Sequence, residues 1–267
     1  MTASGTASGR PWRFREADPD QALAISQRHG LSEIVGRILA LRGVGAGTAP
    51  SFLEPRLRDW LPDPSHLLDL DRAADRLARA VLEREPVGII GDYDVDGATS
   101  AALVTRYLRC FGLEPTVEIP NRLTEGYGAS RAAFDRLAAR GCRLVLTLDN
   151  GTTAFAALAH ARGLGQEVVV VDHHAAEAEL PQALAVVNPN RLDQDSPLGH
   201  LAAVGVVLML LIGVNRRLRE LGAGAASNLP DILGWLDLVA LGTGCDVVPL
   251  TGLNRAVVRQ GLRLAAS

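Results

Sequence analysis

The sequence predicts an α/β fold: a mostly parallel β-sheet with helices on both faces. Short apolar runs alternate with longer amphipathic segments, and such alternation is typical of parallel sheets. Three of the apolar runs also end in acidic or imidazole side chains. Ligands of open α/β sheets bind beyond the carboxyl ends of the strands, so we expect one polar cluster there.

The pattern of apolar residues places each element of this fold. Strands are expected at 87–91, 116–119, 143–148, 167–171 and 185–187. Helices are expected at about 99–111, 130–140, 153–162, 200–220, 229–241 and 252–264. Ser130 is a suitable N-cap, and Gly141 is a suitable stop for the helix between them.

The residues before the first strand predict a separate helical segment. Residues 1–18 begin with a Ser-, Gly- and Thr-rich stretch and are expected to form a flexible tail. Two short helices are expected between Pro19 and Arg42, and an amphipathic helix at 69–85. We therefore expect a helical N-terminal segment at 19–85 and a main α/β domain at 86–267.

Composition limits the possible classes of protein. The chain has 267 residues, a net charge of −3 and no lysine, so nucleic-acid binding must rely on a local patch of arginines. Its 3 cysteines are widely spaced without a CxxC motif, which fits a reducing cytoplasm and argues against disulfides or a zinc-thiolate site. The longest apolar run, Leu201–Val214, is too short to span a membrane. We expect a cytoplasmic protein with no membrane association.

The first strand is followed by Asp92-Tyr-Asp94-Val-Asp96-Gly97. An EF-hand calcium loop begins with similar spacing, but the position that requires glutamate is Leu103, and a strand precedes the loop. An aspartyl-phosphate phosphatase of the haloacid-dehalogenase type generally needs a lysine, which the chain lacks. Capping of the next helix explains one of the three carboxylates but hardly all of them.

Two further strand ends carry similar groups. Asp149-Asn150-Gly151 follows the strand at 143–148, and Asp172-His173-His174 follows the strand at 167–171. Asp149 alone would most often be a helix cap. Carboxylates combined with imidazoles suit Mn²⁺, Mg²⁺ or Fe²⁺, so the three strand ends together predict a metal site.

This ordered set of motifs resembles the DHH phosphoesterase superfamily, and the surrounding phrases are similar to those of RecJ-type single-strand-specific exonucleases. The phrases that carry the resemblance are Gly91–Ser100, Ile119–Arg122 with Glu125–Gly128, and Leu236–Thr243 with Asp246–Leu250. The resemblance extends from about residue 12 to the C-terminus.

The resemblance implies a site for two Mn²⁺ or Mg²⁺ ions. The implied ligands are Asp92, Asp94, Asp149, His173 and Asp237. Asp92 and Asp94 would each bind one ion, Asp149 would bridge both, and the other two would complete the second site. Asp237 is preferred to Asp246 because it lies in the expected helix, and Asp246 is expected to have a structural role. Asp96 is expected to support the ligands or to cap a helix.

The resemblance also implies catalytic and substrate-binding residues. His174, Asp149 and Arg122 are the expected catalytic residues. His174 would contact the scissile phosphate or assist the leaving group, and Arg122 would neutralise phosphate charge. The expected substrate contacts are Arg122, Gly126, Tyr127, Gly128 and His174. Packing of Tyr127 on the sheet is an equally good interpretation of that residue.

The implied activity is 5′-to-3′ hydrolysis of single-stranded DNA to mononucleotides in DNA repair and recombination. A single-strand-binding protein or a helicase would be the expected protein partner. The family's second lobe (DHHA1) and OB-fold are not found in this sequence, so an inert truncated fragment is one alternative. Others are a phosphoesterase acting on oligonucleotides, cyclic dinucleotides or polyphosphate, and a non-catalytic scaffold, although such scaffolds lose motif acids that are all present here.

Overall fold

The computed structural model describes residues 15–223 and 229–266, and the chain divides into two compact units after Arg56. Most of the predicted flexible tail lies outside the described residues. The first unit contains α1 (Pro19–His29), α2 (Glu33–Leu41) and α3 (Ala49–Leu53). Its small core includes Ile25, Leu39 and Val44. The two short helices expected between residues 19 and 42 are therefore confirmed.

The second unit is an α/β layer structure in which helices precede the first strand. Its helices α4 to α11 are Leu57–Trp60, Leu70–Glu83, Val95–Arg109, Arg131–Ala139, Phe155–Gly163, Ala203–Glu220, Leu236–Cys245 and Gly252–Ala265. Its strands β1 to β5 are Val87–Gly91, Thr116–Glu118, Leu144–Leu148, Glu167–Val171 and Ala185–Val187. Short 3₁₀ turns at Pro64–His66 and Ile232–Trp235 precede α5 and α10.

The five strands form one fully parallel sheet in the order β2-β1-β3-β4-β5. Alternate strand residues face opposite sides: Ile89, Leu146 and Val169 join the core with α5, α6 and α9, whereas Val145 and Val170 pack against α7 and α8. The predicted fold class, a parallel sheet covered on both faces, is confirmed. Within the described residues, none of the helices is long and apolar enough to cross a membrane.

The boundary between the units differs from the prediction, which places it at residue 85. Helix α5 was assigned to the N-terminal segment, but its buried face, including Leu70 and Leu77, belongs to the same core as the sheet. Gly213 of α9 leaves room for this packing, because an added Cβ would lie 2.8 Å from a methyl carbon of Leu70. The compact unit that contains the sheet therefore starts at Leu57.

Candidate metal centre

The sheet ladder brings three aspartates into one row. The backbone N–H groups of Asp92, Asp149 and Asp172 donate to Leu148, Val171 and Val187, so the pairing continues one residue beyond each strand. Because β1, β3 and β4 are hydrogen-bonded neighbours, their ends lie at adjacent positions, about 4.8 Å apart per strand. All three carboxylates are buried. This register is the physical reason why motifs that are distant in sequence converge.

Asp149 adopts a left-handed backbone conformation, with φ of 64°. A non-glycine residue pays a steric cost in this region, and such residues concentrate at functional sites. The adjoining Asn150 holds the turn, since its side-chain amide donates to the carbonyls of Ile90 and Leu148 at 3.2 and 2.8 Å. The strand ends of β1 and β3 are thereby fixed to one another at the site.

The two other acids of the first motif lie at the start of α6. Asp94 is the N-cap, and its Oδ1 accepts a hydrogen bond from Gly97 N at 2.9 Å. Asp96 is buried and accepts hydrogen bonds from the backbone N–H groups of Ala203 and Val204, at 2.6 and 2.9 Å. Asp96 therefore anchors the first residues of α9, in agreement with the capping role considered for it.

The histidine pair after β4 is oriented by Asp172. Oδ1 of Asp172 accepts hydrogen bonds from the backbone of His173 and His174 and lies 2.7 Å from His174 Nδ1, while Oδ2 accepts from Thr152 N. The pKa of Asp172 falls to about 2, because these contacts, led by His174, outweigh burial. An ionised Asp172 thus holds the backbone of the turn at His173 and His174 and fixes the imidazole of His174.

Three groups of side chains bring their ligand atoms within 4.8 Å of one another. These groups are Asp92 with Asp94 and Asp149, Asp149 with His173 and His174, and Asp96 with His173 and Asp246. Nε2 of His173 lies 3.3 Å from Asp149, 3.7 Å from Asp246 and 3.9 Å from Asp96. The three groups overlap, so they form one continuous cluster.

Asp237, which was expected to complete this cluster, belongs to none of the groups among the described residues. It lies in the first turn of α10, whereas Asp246 is the C-cap residue of the same helix. The two residues are nine positions apart, which corresponds to about 13 Å along a helix axis. Asp246 approaches Nε2 of His173 at 3.7 Å, whereas Asp237 forms no ion pair with it among the described residues. The structure therefore places Asp246 at the position that was assigned to Asp237.

Several atoms of the cluster are buried without a hydrogen-bond partner. They are Oδ1 of Asp92, Oδ1 of Asp149, Nε2 of His173 and Oδ2 of Asp246. Buried polar groups are normally satisfied, because leaving one unpaired costs about 1–3 kcal/mol and more for a charge. Carboxylate oxygens and an imidazole nitrogen that converge in this way are suitable ligands for divalent cations such as Mn²⁺ or Mg²⁺. The residues present thus fit a metal centre.

The pKa shifts of the cluster agree with a site for a cation. Burial raises the pKa of Asp149 to about 7 and that of Asp96 to about 6. Burial also raises the pKa of Asp92 and of Asp246. For His173, burial lowers the pKa, but Asp149, Asp246 and Asp96 outweigh it and raise the pKa to about 9. The cluster therefore takes up protons where a cation would otherwise neutralise the acids.

The segment at 121–128 lies beside this cluster. Tyr127 Oη is 3.1 Å from His174 Nε2 and donates to the carbonyl of Asp149 at 3.3 Å. Gly126 and Gly128 adopt φ of 84° and 77°, which turns the chain tightly around Tyr127. Arg122 lies over the ring of Tyr93. The structure thus brings the predicted substrate-binding segment to the metal ligands, while its contact with substrate stays a prediction.

Sequence alone does not indicate the roles of three residues of this site. Asp246 was considered structural, Asp96 was placed outside the ligand set, and Tyr93 was not singled out. No signal in a single sequence distinguishes Asp237 from Asp246, because that choice depends on how α10 packs against α6.

Comparisons with known proteins agree with this arrangement. The N-terminal domain model of the DHH family matches residues 86–243. The single-stranded-DNA-specific exonuclease RecJ of Salmonella typhimurium is 39% identical over 256 residues, which cover 95% of this chain and 43% of that protein.

Two solved structures are similar as well. An exonuclease RecJ bound to manganese has a TM-score of 0.65 and 36% identity, covering 76% of this chain and 48% of that one. RecJ of Thermus thermophilus in complex with Mn²⁺ has a TM-score of 0.73 and 30% identity, covering 94% and 34%. The chain spans less than half the length of each of these relatives. Since the family match covers more than half of its residues and all five strands of its sheet, the chain belongs to the DHH family.

Proposed function

We propose that this chain is the catalytic part of a divalent-metal-dependent exonuclease that hydrolyses single-stranded DNA from the 5′ end. The observation that carries the proposal is the row of buried, unpartnered carboxylate and imidazole atoms at the strand ends. The similarity to RecJ exonucleases, two of them solved with manganese, supports the same substrate and cation. Direction of digestion and a role in DNA repair and recombination follow from the family resemblance.

The overlapping ligand groups would accommodate two cations. Asp92, Asp94 and Asp149 would hold the first, and Asp96, His173 and Asp246 would hold the second. Asp149 lies 3.3 Å from His173, so it can serve both. Two such cations lower the pKa of water and neutralise charge on a phosphodiester. Asp96 can contribute a lone pair while keeping its hydrogen bonds to α9, because each carboxylate oxygen has two.

The remaining polar side chains would handle the substrate. Nδ1 of His174 faces Asp172, so Nε2, next to Tyr127 Oη, is the nitrogen available to donate a proton to a leaving oxygen. The side chain of His174 is 47% exposed, and Tyr127 is 55% exposed, so substrate can reach both. Arg122 supplies a positive charge near Asp92, where a phosphate would approach.

Digestion of labelled oligonucleotides tests the proposal. The chain would be incubated with single-stranded and duplex oligonucleotides labelled at the 5′ or the 3′ end, with Mn²⁺ or with a chelator. We expect labelled mononucleotide to appear first from the 5′-labelled single strand, and only with Mn²⁺. Cleavage of dinucleotides alone would favour a small-substrate phosphoesterase instead. A chain that binds Mn²⁺ but cleaves none of these substrates would contradict the proposed activity.

Manganese affinity is expected to rise with pH. The folded, metal-free cluster holds protons up to a pKa of about 7 on Asp149 and about 9 on His173, and metal binding must release them. Both values lie above those of the unfolded chain, so the metal-free protein loses stability as pH rises through this window. The affinity for Mn²⁺ should therefore increase over the same pH range, by up to about tenfold per pH unit for each proton displaced.

Calorimetric titration with Mn²⁺ in buffers of different ionisation enthalpy measures the protons released. A positive release between about pH 6 and about pH 8 is the expected result. Affinity that does not change with pH, with no proton release, would contradict this protonation state of the cluster.

A further inference from the structure

The guanidinium of Arg122 rests on an aromatic ring rather than on an acid. Its Cζ lies 4.9 Å from the centroid of the Tyr93 ring, within the ~6 Å range of a cation–π contact. The Tyr93 ring in turn meets the ring of Tyr127 edge-on, with centroids 6.3 Å apart. Tyr93 therefore contacts two side chains of the 121–128 segment, those of Arg122 and Tyr127.

Arg122 lies close enough to Asp92 to influence its ionisation, but it forms no ion pair among the described residues. In the described part of the chain, no carboxylate oxygen lies within 4.0 Å of its guanidinium. Burial raises the pKa of Asp92 overall, and the positive charge of Arg122 opposes that rise in part, so Arg122 acts on the cluster from a distance. Arginine and carboxylate normally form short bidentate pairs, and Asp94 is an exposed acid in the neighbouring turn. A contact that restrains the guanidinium explains why such a pair is not formed.

The backbone on both sides of Tyr93 is held in place. Tyr93 lies between Asp92 and Asp94, so its backbone is fixed by the strand end and by the helix cap on either side. Its ring is partly buried, and one face is covered by Arg122. The ring therefore has a fixed direction relative to the metal ligands, which a residue elsewhere on the exposed 121–128 segment would not have.

We propose that Tyr93 is a positioning residue that holds Arg122 beside the acid cluster with its N–H groups free to bind a substrate phosphate. The inference rests on the proposed function and adds a residue to its substrate site. Without the aromatic face, Arg122 would be drawn into an ion pair with the nearby carboxylates and lost to the substrate. Phenylalanine offers the same face and should replace Tyr93, whereas leucine fills similar space without the ring quadrupole.

A double-mutant cycle tests the inference. The variants are Y93L, Y93F, R122A and Y93L/R122A, and the readout is the Kd for a fluorescein-labelled single-stranded oligonucleotide, measured by anisotropy with Ca²⁺ to prevent cleavage. We expect Y93L to weaken binding by about 3- to 30-fold and Y93F to stay within about twofold of wild type. Since Tyr93 acts through Arg122, the double variant should bind no more weakly than R122A alone.

The salt dependence of binding provides a second readout that general damage to the fold would not reproduce. R122A should reduce the slope of log Kd against log salt concentration by about 0.7, the value for one lost contact with a single-strand phosphate. The slope for Y93F should equal that of wild type.

The outcomes separate this inference from the proposed function. The role of Tyr93 would be overturned if the effects of Y93L and R122A on the free energy of binding were additive, or if Y93F bound the oligonucleotide as weakly as Y93L. Binding by the wild-type chain would still uphold the proposed function in that case. A wild-type chain that neither binds nor cleaves single strands contradicts the proposed function and the inference together.

Discussion

Replacing Asp149 with asparagine is expected to lower Mn²⁺-dependent hydrolysis by at least about 10²–10³-fold, the range seen when one preorganised electrostatic group is removed from an active site. Asp149 lies in two of the three ligand groups and approaches His173 at 3.3 Å, so its loss affects both cation positions. Asparagine is the suitable replacement because it tolerates the left-handed backbone, with φ of 64°, that this position requires. Cleavage of a labelled single-stranded oligonucleotide measures the effect.

The same substitution should stabilise the metal-free protein. Burial raises the pKa of Asp149 to about 7, which means that its ionised form is unfavourable in the folded state. Above that pH, D149N should raise the Tm by at least about 2 °C, the shift that ~1 kcal/mol produces in a chain of this size. Activity within about tenfold of wild type would contradict the assignment of Asp149 as the shared ligand.

Replacing Asp246 with asparagine should weaken manganese binding and activity by at least about 10²-fold, whereas the same change at Asp237 should leave both within about threefold. The two residues lie at opposite ends of α10, and only Asp246 comes near His173, at 3.7 Å. D237N is therefore a matched control: it removes the same charge from the same helix. Manganese titration and oligonucleotide cleavage would be measured for both variants at one pH.

The opposite result would be equally informative. If D237N abolished metal binding and D246N did not, α10 would have to be displaced by about two and a half turns relative to α6, which would contradict the cluster described here. Equal losses in both variants would indicate that the acids act through the stability of α10. Thermal unfolding of the two metal-free variants distinguishes that case, because a structural effect lowers the Tm.

The sheet was predictable because its strands are short apolar runs that end abruptly. Val168, Val169, Val170 and Val171 are buried from both faces, and the acid that follows can only lie at the sheet edge. Because parallel strands end at the same edge of a sheet, their terminal acids are expected to lie together. For this reason Asp92, Asp149 and His173 could be placed in one cluster from sequence. Local capping was readable too: Ser130 accepts from Ala133 N at 3.1 Å, as expected.

Long-range helix placement was the part that sequence could not supply. Helix α6 begins at Val95 rather than near residue 99, and this early start directs Asp96 toward α9. Likewise, the choice between Asp237 and Asp246 depends on how α10 packs on α6. Gly242 allows the two helices to approach closely, because an added Cβ at this position would lie 2.3 Å from Thr99 Oγ1. The amphipathic pattern of α5 could not show which neighbour it covers.

The number of bound manganese ions tests the central claim most directly. The chain would be crystallised with Mn²⁺ and the ions located by anomalous scattering. We predict two ions: one bound by Asp92, Asp94 and Asp149, the other by Asp96, His173 and Asp246, with Asp149 shared. A single ion, or an ion bound by Asp237 in place of Asp246, would contradict the metal centre described here.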